Sequence, residues 1–220
     1  MIDPCYIDPG YALFNNAYLK ASVAAVLEAG ELPQIVQAGH PVLRAPSLPF
    51  TGQLTAKELA QLIEIMTESM RAAPGVGLAA PQIGIPLQLA VLEDQYDVSA
   101  ENAEARNREP LELFTILNPQ YTAIGTGLIS HYEGCLSMSG WQAVVDRAES
   151  VELTYDDEHG SAHTRQFTGW QARIVAHESD HLAGTLYIDK AHTRSLASNA
   201  EYNKHWANPD IAAARDGLRF

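Results

Sequence analysis

HESDH, running from His177 to His181, is the stretch that decides how this chain is to be read. Thr168 and Gln171 have capping-box spacing ahead of it, and Gly184 stands where a helix would stop. The five residues are therefore expected on a helix. Each helical residue turns by ~100°, so His177 and His181 lie only ~40° apart on one face. Glu178 falls in the same arc, and Trp170 and Ile174 project from it too, so the stripe points into the protein. Two imidazoles and a carboxyl on a buried stripe are costly unless something compensates them. A divalent cation held by both imidazoles would do so, leaving Glu178 beside it to handle protons.

Two imidazoles leave a coordination shell incomplete, and the residues offer two ways to finish it. Downstream lie Asp189 and His192, in the manner of protease-type zinc helices. Upstream lies Cys135 in the segment EGCLS, Glu133 to Ser137. A thiolate neutralises charge, and one Cys with two His keeps a fourth position open for water. A free cysteine is also commonly a small buried hydrophobe, and spacing alone does not choose between these readings. The remaining histidines (His40, His131, His159, His163, His192, His205) read as ordinary polar residues, with His131 notable only for lying close to Cys135.

The 220 residues suffice for one well-buried core, and 46% hydrophobic with 19% charged residues is an ordinary globular balance. A formal net charge of -13 without a basic patch argues against nucleic-acid binding, because polyphosphate would be repelled. No apolar run approaches the ~20 residues of a bilayer span. The opening MIDPCYIDPGYALF lacks the basic start and apolar centre of a secretory signal, so a cytoplasmic protein without membrane contact is expected. Two cysteines, Cys5 and Cys135, are too few for a disulfide framework.

Along the chain, residues 1–34 read as an N-terminal arm with a helix in NAYLKASVAAVLEAG ending on Gly30, and residues 35–220 as one domain. Thr55 and Glu58 open a helix on which Leu59, Leu62, Ile63, Met66 and Met70 recur until Pro74. GVGLAAPQIG reads as a glycine-punctuated loop, PLQLAVLE and LFTILN as strands, and the acidic 93–112 stretch between them as an exposed loop. AVVD, SVELTY and AHTRQFT read as one antiparallel group, with DDEHG as a turn, before a tail of mixed helix and loop from Thr193. Without regular βαβ alternation the class is α+β: antiparallel sheets packed around a central metal-binding helix, with an N-terminal helical arm.

Three segments taken together resemble the three signature motifs of peptide deformylases, in order and rough separation: GVGLAAPQIG (Gly75 to Gly84), EGCLS and HESDH. GHPVLR and DKAHTRSL are also similar to that family, so the resemblance runs from about Ile35 to beyond Arg194. It implies that residues 35–220 form a single catalytic domain that removes the formyl group from formyl-methionine at the start of new polypeptides at the ribosome, releasing formate. It implies Cys135, His177 and His181 as metal ligands with a water in fourth place, and Glu178 as general base and then acid. The family pattern assigns the side-chain amide of Gln82 and the backbone N–H of Leu136 to the oxyanion. Gly75 and Gly77 suit main-chain pairing with an extended peptide, and Val76, Trp170 and Ile174 match positions lining the methionine pocket. Fe2+ is the metal the family implies in the cell, with Zn2+, Ni2+ or Co2+ as substitutes; ligand type alone favours Zn2+.

Glu133 and Arg147 are candidates for a supporting ion pair near the Cys135 loop. Departures from the family pattern are Ala176 where Gln is frequent, Met138-Ser139-Gly140 where a small apolar residue and Pro are usual, and Gln142 where an arginine is frequent. All of these touch the pocket rim. Two competing readings are a zinc peptidase with a ligand other than Cys135, and a non-catalytic metal-stabilised module that holds nascent chains. Against the latter stands Glu178, since a structural site has no use for a buried base.

Overall fold

The structure, a computed structural model, describes residues 14–220; the first thirteen residues of the arm, Cys5 among them, lie outside the described residues. Helix α1 (Asn16–Glu28) starts where the Asn15 side chain accepts from the amides of Ala17 and Tyr18, both at 3.0 Å. Its Leu19 and Val23 are buried in the same cluster as Leu62, Met66 and Met70 of α2 (Ala56–Ala72), so the described part of the arm packs onto the body. The capping box at α2 forms as expected: Glu58 donates its amide to Thr55 Oγ1 at 3.2 Å, and Thr55 donates its own to Glu58 Oε2 at 2.7 Å. Such a cap is worth ~1 kcal/mol.

After α2 the glycine-rich segment is not a loop throughout. Gly77–Ala79 forms a short strand, β1, followed by a 3-10 turn at Ala80–Ile83. Leu78 and Ala79 are fully buried and pair with Val91 and Ala90 of β2 (Leu89–Asp94), so burial and a partner strand override the glycines.

The acidic 93–112 stretch is likewise more ordered than its composition suggests. It holds the end of β2, helix α3 (Ala100–Arg106) and the start of β3 (Leu111–Ala123). The pin is a buried ion pair: Arg108 grips Asp94 through Nε at 2.8 Å and Nη2 at 2.7 Å.

Next come β4 (Leu128–Gly134), β5 (Trp141–Ala148), β6 (Ser150–Asp156), β7 (Ala162–Thr168) and α4 (Gly169–Leu182). One antiparallel sheet runs β1-β2-β3-β6-β7, and a smaller one runs β4-β5-β8, where β8 is Ala197–Ser198. The AVVD segment therefore does not join SVELTY and AHTRQFT: β5 turns at Glu149 into the other sheet, while β6 and β7 pair as expected across the Asp157–Gly160 turn. Helix α4 sits against strands of both sheets, burying Ala172, Ile174, Val175 and Leu182 among Leu92, Ile116, Leu153 and Phe167. The tail adds a helical turn at Asn199–Glu201, a π-helical turn at Tyr202–Trp206 and a last helix at Ala212–Leu218. The architecture is α+β with the HESDH helix at its centre. No helix of the described residues is long and apolar enough to cross a membrane.

The start of α4 is built differently from the sequence expectation. Thr168 makes no cap hydrogen bond; its hydroxyl donates to the Glu149 carbonyl and accepts from Ser150. The 93–112 insertion supplies the partner instead, as the Asn107 carbonyl accepts from the Trp170 amide at 3.2 Å and the Pro110 carbonyl accepts from Gln171 Nε2 at 2.8 Å. Gly169 has φ +59°, and a Cβ there would meet the Asn107 oxygen at 2.3 Å, so the insertion seats only on a glycine.

Candidate metal centre

Helix α4 presents His177 and His181 one turn apart, and β4 delivers Cys135 to the same point after Gly134. The ligand atoms of Cys135, His177 and His181 lie within 4.8 Å of one another, with Cys135 Sγ 3.3 Å from His181 Nε2. Thiolate and imidazole donors around one tetrahedral divalent ion sit about 3.5 Å apart, so the set fits such an ion. The downstream alternatives point elsewhere. Asp189 pairs with Arg44 and accepts the Leu186 amide, while His192 Nε2 pairs with Asp146 at 2.9 Å.

The protonation states suit the same purpose. Burial holds His181 well below the usual histidine range, keeping it neutral as a ligand must be. His177 is held well above that range: burial opposes its charge, but Cys135 and Glu133 outweigh it. The proton of such an imidazole is the one a bound cation displaces. Nδ1–H of His177 is donated to Glu133 Oε2 at 2.9 Å, which turns Nε2 toward Cys135 Sγ.

Glu133 is the hub of a buried network. It receives Arg147 in fork geometry, Nε to Oε1 at 2.9 Å and Nη2 to Oε2 at 3.0 Å, as the sequence suggested. It also receives Arg173 Nη1 at 2.6 Å. Arg147 bridges on to Asp180 at 2.5 Å, and Lys190 and Tyr121 complete that carboxylate. Burial pushes the Glu133 carboxyl upward, yet Arg147 and His177 together hold it well below the usual range. Arg173, Asp180 and Lys190 were not singled out from the sequence. The signal for Arg173 was present, since it stands four residues before His177 on the same helix.

Every predicted site residue except His181 lines one open cavity of about 400 Å³; His181 lies behind its wall, 1% exposed. Gln82 is buried, and the Ala79 amide donates to its Oε1 at 2.9 Å. That bond turns Nε2 toward Cys135 Sγ at 3.6 Å and Ser137 Oγ at 3.4 Å. Glu178 reaches under β1, where a Cβ added to Gly77 would meet its Oε1 at 2.4 Å. Gly75 has the same tight fit against Leu136 Cδ1, at 2.9 Å. The two glycines thus make room for site side chains, besides leaving the backbone free for a peptide.

Glu178 Oε2 is buried with no hydrogen-bond partner among the described residues, and burial raises its carboxyl to about 7. A carboxyl so placed exchanges protons near neutrality, and a cation bound beside it would favour its charged form.

Trp170 and Ile174 line the cavity from the same face of α4 as His177. The departures Met138, Ser139, Gly140 and Gln142 form its rim, where Gln142 Nε2 donates to Asn199 Oδ1 at 3.1 Å, whereas Ala176, expected there too, is buried on α4 away from the lining. Arg106 and Asn199 also line it. Neither was singled out from the sequence: Arg106 is hidden in the acidic insertion, and Asn199 comes from the tail after β8.

Residues 32–197 match the family model for polypeptide deformylase. Peptide deformylase 3 of Streptomyces avermitilis is 49% identical over 191 residues, covering 87% of this chain and 85% of that protein. The mitochondrial peptide deformylase of Homo sapiens is 36% identical over 169 residues, covering 74% and 70% respectively. Among solved structures, the Met-Ala-Ser-bound class I type b peptide deformylase of Acinetobacter baumannii matches with a TM-score of 0.65 at 27% identity, over 73% of this chain and 98% of that one.

Proposed function

The chain belongs to the polypeptide deformylase family, and we propose that Cys135, His177 and His181 hold its metal while Glu178 moves the protons of deformylation. The activity is hydrolysis of the formyl amide at the N-terminus of new polypeptides: water adds to the formyl carbon, the C–N bond breaks, and formate and a free amine leave. The observation that carries the residue assignment is the convergence of three ligand atoms within 4.8 Å beside a buried, unpartnered carboxyl.

A bound cation supplies Lewis acidity, acidifying a water and polarising the formyl oxygen. Glu178 takes the proton from the attacking water and returns it to the departing amine. The Gln82 amide, pinned by the Ala79 N–H, and the backbone N–H of Leu136 stabilise the oxyanion. Val76, Trp170 and Ile174 receive the methionine side chain. Among the described residues β1 pairs with β2 alone, and its other edge, at Gly77 and next to Gly75, offers main-chain partners to the extended peptide. The tripeptide Met-Ala-Ser held by the Acinetobacter enzyme has the form of a deformylated product, and the cavity here is open enough for the same class of ligand.

For the metal in the cell we favour Fe2+, with Zn2+, Ni2+ and Co2+ as compatible substitutes for a thiolate–imidazole set. Residues 35–220 carry the catalysis, and the setting is the cytoplasm, where nascent chains leave the ribosome. With a net charge of -13 the chain meets them as polypeptide rather than through nucleic acid. Substituting Cys135 by Ala tests the assignment: bound metal and formate release from formyl-Met-Ala-Ser should be lost together. A Cys135→Ala protein that keeps both would overturn it.

A further inference from the structure

Three guanidinium groups surround the Trp170 ring: Arg106 at 4.9 Å from its centroid, Arg108 at 5.7 Å and Arg173 at 5.9 Å. Two have carboxylate partners, Arg108 with Asp94 and Arg173 with Glu133. Arg106 differs. Its side chain makes no hydrogen bond or ion pair with a described residue, its Nε is buried without an acceptor, and it lines the cavity. An arginine held between an indole face and a substrate cavity has no acceptor among the described residues, in a chain whose net charge is -13. Its position is not loose, because Asn107 and Arg108, the next two residues, are fixed to α4 and to Asp94.

Geometry indicates which part of a substrate it meets. Trp170 lies seven residues before His177 on α4, ~10 Å along the helix axis. From formyl carbon to terminal methyl, an extended formyl-methionine spans about 7 Å by ordinary bond lengths. Trp170 and Arg106 therefore meet the tip of the first side chain and not the reacting amide. A thioether is only a weak acceptor, so unmodified methionine leaves Arg106 unmatched. Under the deformylase assignment, on which this inference rests, the first residue is methionine. Oxidation of its sulfur is the chemistry that puts a strong acceptor there.

We propose that Arg106 is a specificity-determining residue that lets this enzyme deformylate chains beginning with formyl-methionine sulfoxide as well as formyl-methionine. The experiment compares formate release by the metal-loaded protein from three tripeptides: formyl-Met-Ala-Ser, its sulfoxide, and the formyl-norleucine analogue, which has no acceptor. The parent should process the sulfoxide within about tenfold of the methionine peptide. Arg106→Leu should lower kcat/KM for the sulfoxide by a further ten- to hundredfold, roughly what a hydrogen bond to a charged group is worth. The other two peptides should lose less, and equally, and a denaturant unfolding curve matching the parent's reports that the variant is folded. Arg106→Lys should fall between.

A parent that rejects the sulfoxide as strongly as Arg106→Leu does, or a variant that loses all three substrates in parallel, would overturn the proposal. No formate from any peptide with the parent would remove the deformylase assignment first and this inference with it.

Discussion

The missing side chain of Gly77 is the space in which the Glu178 carboxyl stands: a Cβ added at Gly77 would lie 2.4 Å from Oε1 and 2.6 Å from Cγ of Glu178. The edge strand and the HESDH helix are thus fitted to each other at the residue assigned to proton transfer. Gly77→Ala should leave the metal in place and push Glu178 out of line. A misplacement of about 1 Å costs on the order of 100-fold in rate, so kcat for formate release should fall by about that much. Metal content measured on the same sample separates this from loss of the site; a variant with unchanged kcat would show that the contact has no part in catalysis.

Glu133, itself buried, joins His177 to Arg147 and Arg173. Glu133→Gln should weaken metal binding by about 10–100-fold, the usual effect of losing a carboxylate behind a ligating histidine. It also leaves buried Arg173 without its carboxylate, while Arg147 keeps Asp180, a change that costs about 3–5 kcal/mol in stability. Competition against a chelator reads the first effect and denaturant unfolding the second. A variant that holds metal as tightly as the parent would remove Glu133 from the account of the site.

His131, which is not among the proposed ligands, gives a pH signature of its own. Its ring is buried edge-on to Trp170 at 6.0 Å, with Nε2 unpartnered among the described residues. Burial first, then Arg173 and Arg106, lowers its pKa to about 4; Glu133 and Asp210 oppose this weakly. The unfolded chain titrates this group near 6.5. Between about pH 6.5 and 4 the unfolded state therefore binds the extra proton, so His131 makes stability fall as pH falls through that window. His131→Phe should flatten this part of the curve, and the parent-minus-variant difference in unfolding free energy should shrink from pH 7.5 to 4.5. Parallel curves would contradict the assignment.

Much of the site was legible in the sequence because its residues sit on short regular elements. His177, Glu178 and His181 are placed by helical periodicity alone, and Trp170 and Ile174 follow from the same stripe. EGCLS ends a strand, so Cys135 and Glu133 stay close whatever the rest of the chain does. What stayed hidden depends on distant partners. The cap of α4 comes from Asn107, far upstream, so the Thr168–Gln171 spacing led to a cap that does not form. The acidic insertion looked like solvent-exposed loop because the Arg108–Asp94 pin and the stacking of Arg106 on Trp170 leave no periodic trace. GVGLAAPQIG looked like loop because glycine weakens strand propensity, while the pairing of β1 with β2 is a tertiary effect.

The central claim is that Glu178 moves the protons of deformylation beside a cation held by Cys135, His177 and His181. Its most direct test is formate release from formyl-Met-Ala-Ser by the metal-loaded protein and by Glu178→Ala with equal metal content. The parent should release formate at an enzymatic rate, and the variant should be slower by about 10²–10⁴-fold, the usual contribution of a positioned general base. No formate from the well-metallated parent, or an undiminished rate in the variant, would contradict it.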